Sequence, residues 1–318
     1  MKRFITILIV ALLALTPAVE LATGLQGNTE WCAAARTKTK TTKKAKKTKK
    51  NKKAKNTPSK GKVAKPNKSA KRVQKPTTVP RISSLSSTSV PTRGKSLLTV
   101  TVPQGNQRVD YKSITIYFNR SLRIPSCVVY ELTNTMVSMA DAPTAEKRKN
   151  HNFYGDPNVA GSPDWGDYRR SGYTRGHMAP AMDMRWDRQS MSECFLMTNM
   201  CPQVEKLNNG PWRNLEESVH RWAKRDGSIW VYTGPIMGGS VRHIGPKNDI
   251  AVPAAFYKVL YAPGQQRAIA FIYENKENQG GGLAAHATTV AQVESRTGIT
   301  FTGIPTALKQ QRDVTCWK

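Results

Sequence analysis

The sequence predicts an α+β fold with a mainly antiparallel sheet flanked by helices. Six strand-length runs rich in β-branched and aromatic residues lie between residues 97 and 274, and Gly, Pro and Asn punctuate the gaps between them. Two stretches of helical periodicity are scattered among hairpin-like strands, which is an α+β arrangement.

The strand runs are "LLTVTVP" (97–103), "SITIYFN" (113–119), "CVVYELT" (127–133), "SIWVYTGPI" (228–236), "AFYKVLYAP" (255–263) and "AIAFIYE" (268–274). Residues 212–225 place Leu215, Val219 and Trp222 at helical spacing with polar residues between, so one face is apolar. Residues 288–298 read as a second helix, closed by Gly298. Trp212 and Trp222 are expected to pack in the core. No internal repeat and no phosphate-binding glycine loop is present.

Ahead of this domain, expected at 97–318, the chain changes character. "MKRFITILIVALLALTPAVELA" carries two positive charges and then an apolar run too short to span a bilayer comfortably, the pattern of an export signal over residues 1–24. Cleavage after Ala18 or as late as residues 32–35 stays open, and an uncleaved anchor is the alternative. A periplasmic or extracellular destination follows from this reading.

The formal net charge is +29, and from Arg36 to Arg108 there are 23 Lys plus Arg with no Asp or Glu. That composition cannot bury enough apolar surface to offset ordering entropy, so residues 25–96 are expected to be a disordered Lys-rich tail ending in a Pro/Ser/Thr linker. Residues 109–318 hold 25 basic and 19 acidic residues, net +6. The extreme charge therefore belongs to the tail. A basic polymer binds polyanions through counterion release, which implies nucleic acid, acidic polysaccharide or an anionic envelope without choosing among them.

The five cysteines are Cys32, Cys127, Cys194, Cys201 and Cys316. An odd count leaves one unpaired or lost with the leader, and Cys32 is taken as that one. Seven extended residues would hold Cys194 and Cys201 about 23 Å apart. They pair only if the chain turns back between them, so connectivity stays open.

Chemistry concentrates in "SGYTRGHMAP" (171–180). The glycine before His177 lets the backbone approach a ligand, and Ala179-Pro180 ends any regular strand. "TNMCPQ" (198–203) and "LNNGPWRNLEE" (207–217) follow. Asn208 precedes a helix start with Pro211 in its first turn, and Glu216 lies eight residues on, so the two are able to share a side. An amide oxygen, a carboxylate and an imidazole suit one hard cation held mainly through water. Taken singly, Asn208 reads as a helix cap, Glu216 as a solvated helix position and His177 as a polar turn residue. His220 reads as structural or exposed, and His151, His243 and His286 have no partner pattern. Arg169 and Arg170 read as phosphate contacts or as a solvated surface pair.

Together, "SGYTRGHMAP", "FLMTNMCPQ", "LNNGPWRNLE", "WVYTGPI", "VPAAFYKV" and "TGITF" resemble the DNA/RNA non-specific endonuclease family of the ββα-metal type, over roughly residues 110–310. The resemblance implies a ββα-metal nuclease fold in which His177 lies on a β-hairpin and acts as general base. It implies Asn208 as the direct ligand of Mg²⁺, with Mn²⁺ as a substitute, and Glu216 as organiser of the metal's waters. Arg175 is implied to contact phosphate, Arg148 to stabilise transition-state charge, and Asn199 and Gln203 to support the water shell. The family's usual Asp is replaced here by Thr174, which keeps a hydroxyl acceptor and puts the level of activity in question.

The function so implied is an exported, metal-dependent endonuclease that cuts DNA and RNA without sequence specificity and needs no small-molecule cofactor. The alternative is a catalytically weak binder of nucleic acid or envelope acting through its basic tail. The sequence leaves homodimerisation open, as it does the preference for DNA or RNA and for single or double strands.

Overall fold

The computed structural model describes residues 100–247 and 249–317. The expected leader (1–24), basic tail and linker (25–96) and first residues of the 97–103 strand lie outside the described residues. The architecture is α+β, as the sequence predicts. Along the chain run strands β1 (Val100–Thr101), β2 (Asn106–Asp110), β3 (Ile114–Asn119) and β4 (Ile124–Thr133), then helix α1 (Asn134–Asp141). Next come β5 (Thr174–His177), α2 (Arg188–Glu193), β6 (Met200–Gln203) and α3 (Arg213–Asp226). The remainder is β7 (Ser228–Ile236), β8 (Arg242–Ile244), β9 (Ile250–Val252), β10 (Ala255–Ala262), β11 (Arg267–Glu274), α4 (Gly282–His286), β12 (Ala287–Thr288), α5 (Val290–Thr297) and β13 (Thr300–Phe301).

Seven strands form one antiparallel sheet in the order β12-β11-β10-β7-β4-β3-β2. Both faces are covered, which is why its central strands read as continuous apolar runs rather than as alternating ones. Along β4, Val128, Tyr130 and Leu132 enter one core cluster while Cys127 and Val129 enter the other, the period of two that a pleated strand imposes. The first cluster takes Leu215, Val219 and Trp222 of α3. Full burial of Leu215 and Val219 is worth about 1.5–3 kcal/mol each, so α3 is clamped across the sheet. The second cluster takes Val290 and Val293 of α5 together with Phe301.

Strand β1 is much shorter than the expected 97–103 within the described residues, pairing only Val100 and Thr101 with β13. Pro103 has no N–H to continue a ladder, and a turn follows it. Helix α1 was not anticipated from periodicity. Its start is fixed by Thr133, whose hydroxyl accepts from Met136 N at 3.2 Å, and it buries Val137 and Ala140.

Cys127, Cys194 and Cys201 are free, buried thiols. The chain between the last two turns through a short 3-10 segment at Met197–Asn199 instead of running extended. Burial pushes the Cys127 thiol up to about 12, so it is inert as a nucleophile near neutral pH. Cys316 is disulfide-bonded. Cys32, expected to be the odd one out, lies outside the described residues.

Candidate active site

Strands β5 and β6 form a two-stranded antiparallel hairpin apart from the large sheet, with Thr174 opposite Gln203 and His177 opposite Met200. Alternation along β5 puts Arg175 and His177 on one side and Thr174 and Gly176 on the other. On the first side stand two phenyl rings. His177 lies 5.4 Å from Phe153 and edge-on to Phe195 at 5.1 Å, centroid to centroid. The Arg175 guanidinium sits 4.4 Å over Phe153, and that of Arg148 sits 5.0 Å over Phe195.

This aromatic box determines the electrostatics. Neither Arg148 nor Arg175 has a carboxylate partner among the described residues; both are held by ring faces, which attract a cation without cancelling its charge. Burial, then the charges of Arg148 and Arg175, lower the His177 imidazole to about 3. His177 is therefore neutral at physiological pH, and its buried Nε2 has no hydrogen-bond partner. The structure thus brings together three of the expected residues: His177, Arg175 and Arg148.

On the other side of β5 the expectations need two corrections. Gly176 makes room for a side chain of the protein rather than for a ligand: a Cβ there would lie 2.2 Å from Gln203 Oε1. Asn199, expected to support a water shell, is fully buried and spends its amide on the backbone. Its Oδ1 accepts from Ala179 N at 2.9 Å, and its Nδ2 donates to Ala179 O and Cys194 O at 3.0 and 2.8 Å. Both Nδ2 hydrogens are used, so Asn199 locks the turn after His177. Gln203 differs, since its amide oxygen and nitrogen are buried with no partner.

Asn208 belongs to a wide helical turn, Asn208–Trp212, that leads into α3; Gly210 departs from helical geometry there and kinks the chain. Asn208 is thus already helical, with φ −58° and ψ −47°, and not a cap ahead of the helix as the sequence suggested. Its Nδ2 donates to Thr174 Oγ1 at 3.0 Å, and Thr174 Oγ1 donates to the Gln203 carbonyl at 2.9 Å. The hydroxyl has one proton, already given to Gln203, so it must accept from the amide nitrogen. The Asn208 amide oxygen is left facing away from Thr174, available to a cation.

Glu216 is buried on the first turn of α3, with Oε1 unpartnered. Burial pushes its carboxyl up to about 8, against the opposing pull of Lys258 and with a further upward push from Asp183. Lys258 is fully buried on β10, with Nζ 4.7 Å from the Trp212 ring centroid and 3.5 Å from Thr233 Oγ1. Asp183 in turn accepts from Tyr130 OH at 3.0 Å and pairs with His220 Nδ1 at 2.8 Å. His220 Nε2 reaches Asp141 at 3.2 Å. His220 is therefore a buried structural residue.

Sequence reasoning missed Phe153, Phe195, Asp183 and Lys258. A signal existed for Lys258 alone: a lysine inside the apolar run "AFYKVLYA" is a charge in a strand buried on both faces, which needs a buried partner.

Buried polar atoms without partners lie on both sides of β5: Arg175 Nε and His177 Nε2 on one, both amide atoms of Gln203 on the other. Buried polar groups are normally satisfied, so each of these groups is open to a partner such as water, phosphate or a hydrated ion. Among the described residues no cluster of three or more His, Cys, Asp or Glu is able to hold a metal. One amide oxygen and one carboxylate suit a hard dication that keeps most of its water, and fit Mg²⁺ better than Zn²⁺.

A family model described as "DNA/RNA non-specific endonuclease" matches residues 93–305. The chain belongs to the DNA/RNA non-specific endonuclease family. Within that family it is 31% identical over 173 residues to the mitochondrial Nuclease 1 of Schizosaccharomyces pombe, covering 50% of this chain and 52% of that protein. It is 29% identical over 226 residues to the mitochondrial nuclease EXOG of Danio rerio, covering 65% and 63%. Human mitochondrial endonuclease G is 31% identical over 148 residues, covering 42% and 50%. The chain spans about half to two thirds of these relatives' length. The crystal structure of an EndoG/EndoGI complex, titled for the mechanism of EndoG inhibition, superposes with a TM-score of 0.57 at 27% identity, covering 62% of this chain and 86% of that one. The α+β sheet-and-helix arrangement is therefore the ββα-metal nuclease fold. The expected periplasmic or extracellular destination is overturned by the same comparisons, because these relatives are mitochondrial nucleases.

Proposed function

We propose that this family member hydrolyses phosphodiester bonds of DNA and RNA without sequence preference, with His177 as general base and Mg²⁺, or Mn²⁺ in its place, as the required ion. The observation that carries the reading is the neutral, unpartnered Nε2 of His177 enclosed between two arginines whose charge no carboxylate cancels.

The chain's own groups divide the work. His177 Nε2 takes a proton from the attacking water. A bound phosphate facing Arg148 and Arg175 offsets the two charges that depress the imidazole, so its basicity rises when substrate arrives. Arg175 and Arg148 donate to the phosphoryl oxygens, where negative charge grows in the transition state. Asn208 Oδ1, oriented by Thr174, would hold the ion directly, with Glu216 and the Gln203 amide bonding its waters. When bound, such an ion would supply Lewis-acid stabilisation of the negative charge that grows in the transition state.

The groups assigned here address phosphate, water and the ion and none reads a base edge, and contacts to phosphate carry no sequence information. We assign the nuclease domain to residues 97–318 and to the Lys-rich tail a sequence-independent attraction for the same polyanion. Side-by-side cleavage of unstructured RNA, single-stranded DNA and duplex DNA, with Mg²⁺ and with chelator, tests the reading. Metal-dependent cutting at scattered positions is expected. Purified protein that only binds these substrates would favour the tail-driven binder instead.

A further inference from the structure

We infer that the surface formed by Trp165, Arg169, Arg170, Tyr173 and Arg242 is a platform for unpaired bases of the nucleic acid leading into the cleft, an inference that rests on the nuclease reading of the adjoining hairpin. Trp165 is 48% exposed, one of three large hydrophobic side chains left open to solvent among the described residues. Its turn is not loose. The segment Trp165–Tyr168 is closed by a reciprocal cap: Asp164 accepts from Trp165 N at 2.6 Å and Asp167 accepts from Asp164 N at 2.9 Å. Asp167 and Asp249 both pair with Arg123, and Tyr168 is buried beneath. The indole is thus presented on a rigid base, which limits the entropy lost on binding.

The surface is continuous with the site. Tyr168 lies close enough to Arg175 to feel its charge, and Tyr173 directly precedes Thr174 on the hairpin. The Arg169 guanidinium lies 5.9 Å from the Trp165 ring and that of Arg242 5.5 Å from the Tyr173 ring. Among the described residues Arg169, Arg170 and Arg242 pair with no carboxylate, while Asp167 and Asp249 pair with Arg123. Cations interleaved with aromatic faces match a strand that alternates phosphate and base. Bases in a duplex have their faces covered by their neighbours, so an exposed indole gains a partner only from an unpaired base. The surface therefore fits single-stranded nucleic acid, or the frayed flank of a duplex.

The test uses full-length protein carrying His177→Ala to prevent cutting, and a short mixed-sequence DNA oligonucleotide either single-stranded or annealed to its complement. Trp165→Ala is expected to weaken single-strand binding roughly tenfold and to lower the ratio of single-strand to duplex affinity at least about fivefold. Trp165→Phe keeps a stacking ring, so it is expected to retain most of the affinity while losing the tryptophan fluorescence quenched by the single strand. An unchanged affinity ratio in Trp165→Ala would overturn the platform, as would a Trp165-dependent dimer in sedimentation, which would assign the indole to a second copy of the chain. Those results would leave metal-dependent cleavage by the protein with His177 intact untouched. Loss of that cleavage reading, with stacking intact, would instead condemn the nuclease assignment.

Discussion

Asn208 donates its side-chain N–H to the Thr174 hydroxyl at 3.0 Å, and this one bond ties the helical turn ahead of α3 to the strand that carries His177. A threonine standing where the family's aspartate is expected therefore has a geometric task that needs a hydroxyl and no charge. Without it the amide is free to present nitrogen instead of oxygen to a cation.

Replacing Thr174 by Val keeps the shape and removes that acceptor. The Mg²⁺ concentration giving half-maximal cleavage is expected to rise roughly 10–100-fold, the usual cost of losing a partner of a metal ligand. Thr174→Ser should stay near the parent protein. A Mg²⁺ titration of plasmid nicking reads both, and Asn208→Ala should be at least as impaired as Thr174→Val.

Phe153 carries the Arg175 guanidinium at 4.4 Å and flanks His177. Phe153→Leu preserves apolar volume and loses the ring face. A cation–π contact is worth about 0.5–2 kcal/mol, so kcat/KM is expected to fall between about twofold and thirtyfold. Initial-rate kinetics should place much of the loss in KM, because Arg175 binds phosphate in the ground state as well as in the transition state.

The pH dependence of stability follows from His177. Its folded pKa of about 3 lies below the ordinary value of 6.5, so the unfolded chain takes up a proton that the folded one refuses. The contribution is complete above about pH 6.5 and is lost as pH falls towards 3. Melting temperature measured across that window should drop with acidification, and His177→Gln should flatten the slope whatever its own midpoint.

Glu216 acts with the opposite sign. Its carboxyl, raised to about 8 mainly by burial, favours the folded state most below the ordinary value of 4.5, and that benefit fades as pH climbs through 8. A dication favours the ionised form, so Mg²⁺ should bind more tightly as pH rises to about 8. Glu216→Gln should remove most of this pH dependence, read from Mg²⁺ titrations at several pH values. Lys258→Met withdraws the buried cation that opposes the shift, and should move the dependence to still higher pH.

The large sheet was legible because burial on both faces writes long apolar runs: residues 228–236 were bounded as they stand, 113–119 and 255–263 each lost one residue at an end, and 268–274 gained one. Strands β5 and β6 are four residues each, too short to show a period, and only the family resemblance placed His177 on a hairpin. Arg175, His177 and Arg148 were found by motif and stand together around shared rings. Asn199 was given to the water shell by the family resemblance alone, whereas burial turned its amide hydrogen bonds to the backbone. Phe153, Phe195 and Lys258 escaped because their roles come from what folds against them, and no local pattern records that.

The central claim is that the imidazole of residue 177 removes the proton from the attacking water. The most direct measurement is Mg²⁺-dependent nicking of supercoiled plasmid by His177→Ala protein at equal concentration, with binding to uncut plasmid measured in parallel. Cleavage should fall by roughly 10²–10⁴ while binding changes little, as for loss of a general base. Cleavage that persists at the parent rate and still requires the metal would contradict the account.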